Sequence, residues 1–191
     1  GSDAIGVTGY LISKDSMIPS LVSSDWVSVS SQSKFSKTLS STVGPTDQTY
    51  TFYGWLRDAE GNLSERASSR ILYDNTKPSD MTVKINSGDS STSNTTVTLD
   101  LSASDETSGV SAYLVSESSD KTSISESNWV GVTTTSKLST SVGFTFSSVS
   151  AAGTHKKTVY AWFRDAAGNI TDNVSDSINL VINDTNDPTN P

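Results

Sequence analysis

Apolar and polar residues alternate with a period of two along most of the chain, the spacing of strands that bury one face of a sheet. In the second half, strand signals rich in Val, Thr, Leu and aromatic residues fall near residues 81–86, 95–102, 110–116, 129–133, 137–147, 156–164 and 176–183. Asn86-Ser87-Gly88-Asp89 reads as a turn between the first two. Over residues 156–164, Val159, Ala161 and Phe163 point one way while Thr158, Tyr160 and Trp162 point the other, so both faces carry apolar bulk. The pattern predicts an all-β chain.

Much of this pattern occurs twice. Ile5-Gly6-Val7-Thr8-Gly9-Tyr10-Leu11-Ile12-Ser13 matches Ser108-Gly109-Val110-Ser111-Ala112-Tyr113-Leu114-Val115-Ser116, and Ser24-Asp25-Trp26-Val27 matches Ser127-Asn128-Trp129-Val130, both at an offset of 103. Tyr53-Gly54-Trp55-Leu56-Arg57-Asp58-Ala59-Glu60-Gly61-Asn62 then matches Tyr160-Ala161-Trp162-Phe163-Arg164-Asp165-Ala166-Ala167-Gly168-Asn169 at 107. Each copy ends on a junction with Asp and Pro, Asp74 to Pro78 and Asp184 to Pro188. A period of this length is one sandwich domain. Residues 75–184 therefore form a complete repeat of about seven strands, and residues 185–191 begin the next junction. Residues 3–74 form a first repeat of about five strands that lacks the two opening strands of the second. Such a loss strips a sheet of neighbours and exposes apolar surface and backbone. The expected cause is a boundary placed inside the repeat, with a donated strand or swapped packing as its consequence.

Composition narrows the function classes. With 13 Lys and Arg against 21 Asp and Glu, the net charge of −8 is spread along the chain and opposes nucleic-acid binding. No apolar run is long enough for a membrane-spanning helix. The absence of Cys removes disulfides, thiolate metal sites and thiol catalysis together. An apolar fraction of 33% is low, but four Trp, six Tyr and five Phe in repeated positions argue for order over disorder.

The segments from Ala103 to Tyr113 and from Val159 to Asn169 resemble the bacterial immunoglobulin-like repeats of large surface proteins, and the second also resembles the late strand and turn of fibronectin type III modules. The resemblance implies two tandem immunoglobulin-like β-sandwich domains, an extracellular location at the cell surface or in a secreted protein, and neighbouring repeats as partners. It covers stalks, spacers, adhesive arms and accessory modules alike, so it names no single activity.

Two sites compete with plain structural readings. Asp58 and Asp165 sit in turns where an Asp accepting backbone N–H groups precedes a Gly at positive φ, and they read as turn residues first. A hard cation needs several oxygens converging from different loops. At a junction between stacked sandwiches, Asp74, Asp105, Glu106 and Asp165 are the candidate calcium ligands, with solvated acidic loops as the alternative. Second, Tyr113, Tyr160 and Trp162, repeated as Tyr10, Tyr53 and Trp55, form an expected aromatic strip. Such a strip either packs under the segment after Trp129 or stacks on a glycan or a host protein. The single histidine, His155, has no counterpart in the first copy, and no nucleotide-binding or catalytic motif is present, so no catalytic residue is assigned. The chain reads as a non-enzymatic structural and adhesive segment, with a carbohydrate- or protein-binding accessory module as the alternative.

Overall fold

The computed structural model describes residues 2–38, 40–120 and 125–183, with side chains from Ile5 onward. The expected junction at residues 185–191 lies outside them. Twelve strands account for most of the described residues: β1 Ser2–Ser13, β2 Val27–Lys34, β3 Gln48–Asp58, β4 Ala67–Tyr73, β5 Ser79–Ile85, β6 Ser91–Thr92, β7 Thr96–Ser104, β8 Val110–Ser116, β9 Val130–Thr135, β10 Lys137–Thr145, β11 Gly153–Asp165 and β12 Val174–Ile182. The protein is all-β, and it divides into two compact units, Gly1–Asp74 and Asn75–Pro191.

Unit 2 is a sandwich. A three-stranded sheet β10-β7-β5 faces a five-stranded sheet β6-β12-β11-β8-β9. The inward positions of β11 are those predicted from alternation. Val159, Ala161 and Phe163 join Ile178 from β12, Tyr113 from β8, and Val83, Ile85, Leu99 and Leu101 from the opposite sheet in one core. At about 25 cal/mol per Å² of buried apolar surface, these aliphatic and aromatic side chains supply the main driving force for closing the sandwich. One bond ties the edge of the two sheets: the Ile85 N–H donates to Asp176 Oδ2 at 2.8 Å.

Unit 1 is a single sheet of order β2-β1-β3-β4. That order repeats β9-β8-β11-β12, and the pairing repeats too, since Leu11 lies opposite Trp55 as Leu114 lies opposite Trp162. Among the described residues, no strand of unit 1 corresponds to β5 or β7. The counterpart of β10 is in the sequence, because Lys34 and Phe35 align with Lys137 and Leu138 at the offset of 103. Yet residues 35–38 and 40–47 form no strand, so unit 1 has four strands where about five were expected. The reason is physical: β10 pairs along its whole length with β7, and a strand without a ladder partner has no backbone bonds to hold it extended.

Candidate metal centre

Two turns of unit 2 build an acidic corner where the chain enters the unit. After β7, Asp105 Oδ1 accepts three backbone N–H bonds, from Thr107 at 3.2 Å, Ser108 at 2.9 Å and Gly109 at 2.8 Å. Gly109 takes φ +83, and an added Cβ would stand 2.8 Å from a Thr134 methyl, so this turn requires glycine. After β11, Asp165 Oδ1 accepts from Gly168 N at 2.7 Å and Asn169 N at 2.8 Å, while Asn169 Nδ2 donates to Asp165 Oδ2 at 2.8 Å. The turns are tied together, because Ala166 N donates to Gly109 O at 2.9 Å and Ser111 Oγ to Asp165 O at 2.6 Å. Asn169 Nδ2 also reaches Thr76 O at 3.3 Å and so holds the entering chain.

The result is a convergence of carboxylates. Within unit 2, one oxygen of Asp105 lies within 4.8 Å of one of Asp165, with Asp105 only 5% and Asp165 only 1% exposed. Two oxygens bound to one calcium at about 2.4 Å stand at most about 4.8 Å apart, so the spacing is that of ligands sharing one ion. Like charges this close in a poorly hydrated corner repel, and a divalent cation turns that repulsion into attraction. Of the four acids named from sequence, Asp74 is the last residue of unit 1, while Asp105 and Asp165 thus come together within unit 2. Glu106 does not: it sits exposed at the apex of the Asp105 turn, outside the cluster. Asp105 and Asp165 act as turn residues and as the walls of the acidic corner at once. Asn169, which the sequence places on the same turn as Asp165, positions both Asp165 and the chain at Thr76.

The corresponding turn in unit 1 has similar internal bonds, and among the described residues no second acid converges on it. Asp58 Oδ1 accepts from Glu60 N at 2.9 Å and Asn62 N at 2.8 Å, and Oδ2 from Asn62 Nδ2 at 2.7 Å. The Asn62 amide holds this carboxyl below the usual aspartate value, with the backbone N–H groups adding to it against a small desolvation penalty. At the offset of 103, the position of Asp105 is held by Ser2.

The aromatic strip does not present a ligand-binding face. Trp55 is 2% and Trp162 3% exposed. Each packs on the outer face of its sheet against a leucine, Leu11 or Leu114, under the segment that carries Trp26 or Trp129. An arginine closes each stack, Arg57 at 5.0 Å from the Trp26 ring centre and Arg164 at 4.7 Å from that of Trp129. Tyr53 and Tyr160 stay half-buried beside their tryptophans, at 6.4 Å between ring centres in both units. Tyr113 and Tyr10 do not belong to the strip. Tyr113 pairs with Phe163 and Tyr10 with Leu56, which places both on the opposite, inner face of their sheets.

No family model and no curated protein matches the chain. Among solved structures it is similar to the fibronectin(III)-like modules of Clostridium thermocellum CbhA, at 12% identity and a TM-score of 0.37, over 96% of this chain and 82% of that one.

Proposed function

We propose that the chain is a structural and adhesive segment, a stalk or spacer, of an extracellular bacterial surface or secreted protein. It works without catalysis, and calcium held by Asp105 and Asp165 secures the two turns that they anchor in unit 2. One observation carries the spacer reading: the same sheet, with the same strand order, pairing and Leu–Trp–Trp–Arg stack, is built twice in succession. Repeating one unit lengthens a molecule without adding a site, which suits a spacer. The carboxylate convergence supports the calcium part. Burial of Trp55 and Trp162 weighs against the carbohydrate- or protein-binding reading, because a ring must be free on one face to stack on a sugar.

A glycan array and binding to immobilised surface proteins test the spacer reading. A spacer binds neither; saturable binding to one glycan class, lost in Tyr160→Ala with melting unchanged, overturns it in favour of the binding module. Calcium is tested separately by melting the chain with added calcium and with chelator. Calcium is expected to raise the transition of unit 2, by RT ln(1 + [L]/Kd), about 2.7 kcal/mol at a hundredfold excess over Kd. An unchanged transition removes the ion and leaves the spacer reading standing.

A further inference from the structure

The inner face of unit 1 is apolar and partly open to solvent. Phe52, Gly54 and Leu56 of β3 occupy the positions of Val159, Ala161 and Phe163 of β11, and Ile71 and Tyr73 of β4 those of Ile178 and Leu180 of β12. In unit 2 all five are sealed, at no more than 1% exposure, by β5, β7 and β10. In unit 1, Ile71 is 54% and Ile12 47% exposed, and Ile12, Val43, Phe52 and Ile71 line a shallow groove of about 510 Å³. Beside this groove runs the segment from Phe35, aligned with β10, which forms no strand. Phe35 keeps its inward place, stacking on Tyr10 at 5.3 Å.

We propose that this face is the docking surface for a two-stranded antiparallel segment of the β5 and β7 kind. The occupant's chemistry follows from the unit where the face is covered. Its second strand carries Val or Leu at alternate positions, as Val97, Leu99 and Leu101 do. That strand lays its free edge along residues 35–43, as β7 pairs Leu138 with Ala103 and Val142 with Leu99. Docking therefore does two things at once. It buries Ile12, Phe52 and Ile71, and it gives the segment after Phe35 the ladder partner it lacks, turning it into a fifth strand. This inference stands on the internal repeat and the open face, and does not depend on the spacer or calcium readings.

The test is the full chain with a second copy of residues 76–104 fused directly ahead of Ser2, the position that the offset of 103 assigns to Asp105. Docking is expected to slow amide exchange across residues 35–46 at least about tenfold and to lower binding of a dye that reports exposed apolar surface. Phe52→Asp in the fused chain should reverse both changes while the exchange pattern of unit 2 stays as it was. Unchanged exchange in the fused chain overturns the proposal. So does a dimer of the unfused chain in light scattering whose dissociation by Phe52→Asp shows that a second copy takes the face instead.

Discussion

Ile71 and Ile178 stand at the same position of the same sheet, each in a strand paired to the same neighbour, yet one is 54% exposed and the other 1%. Tyr53 and Tyr160, or Trp55 and Trp162, show no such contrast. The two units differ on one face of the sheet and agree on the other. What differs is the face whose cover comes from strands far along the chain; what agrees is the face covered by the segment that follows β1 or β8 directly. The local side of this architecture is complete wherever the local sequence is present, and the nonlocal side is complete only in unit 2.

The tryptophans give the largest expected effect and the sharpest check on the side that agrees. Trp55→Ala and Trp162→Ala should each cost about 3–5 kcal/mol, the range for removing a buried aromatic ring. Exchange of amides in β1 and β3, or in β8 and β11, reads out the damage unit by unit. A large loss in unit 2 with almost none in unit 1 would break the equivalence of the two outer cores.

On the side that differs, the isoleucines separate. Ile178→Ala leaves a cavity in a sealed core and should destabilise unit 2 by about 2–5 kcal/mol. Ile71→Ala removes a half-solvated side chain and should cost less than about 1 kcal/mol. Urea unfolding of the two variants measures this directly. Equal losses would mean that the inner face of unit 1 is covered in solution.

The aspartates extend the comparison to the acidic corner. Asp165→Asn keeps an acceptor for Gly168 and Asn169 N–H but removes a charge from the cluster, so the calcium-dependent rise in melting should disappear. Asp58→Asn changes the matching turn in unit 1, where among the described residues no second carboxylate converges, and should leave the calcium response intact. Loss of the response in both variants would place the ion elsewhere.

These contrasts also explain what could be read from sequence. The strands of unit 2 lie where the alternation put them, because period-two patterning and turn residues are local signals; Met81, Val83 and Ile85 all turn inward. Asp105 and Asp165 were legible because turn chemistry anchors an Asp ahead of Gly109 and of Gly168. The face of Tyr113 was not legible. Alternation fixes the phase within one strand, but the phase between strands depends on register, and a bulge at Arg164 and Asp165 resets it. The loss of the β10 counterpart in unit 1 was equally hidden, since residues 35–43 carry a strand-like sequence and lack only a partner.

The smallest effect is electrostatic and belongs to unit 2. In unit 2, Glu117 and Lys157 pair at 3.2 Å on β8's exit and β11, and both bind Ser147: its N–H and Oγ–H donate to the Glu117 carboxylate, and Lys157 Nζ donates to Ser147 O at 2.8 Å. Partial burial pushes the Glu117 carboxyl up, but the bonds from Ser147 and the Lys157 charge outweigh it, and the net position is below the ordinary glutamate value. A carboxyl lowered on folding adds stability above its unfolded value of about 4.3 and loses it as pH falls through the folded value. At the matching positions unit 1 has Lys14 and Tyr50, with Lys14 Nζ 5.1 Å from the ring centre, a cation–π contact with no carboxylate in it. Lowering pH below about 4 should therefore cost unit 2 an increment that Glu117→Gln abolishes, under about 1 kcal/mol because the pair is partly solvated. Lys14→Gln should leave the acid response of unit 1 as it was. Exchange in β8 and β11 against β1 and β3, followed across that pH range, separates the two. A Glu117→Gln chain as acid-sensitive as the parent in β8 and β11 would remove the ion pair from the account and leave the covering sheet as the main source of difference between the units.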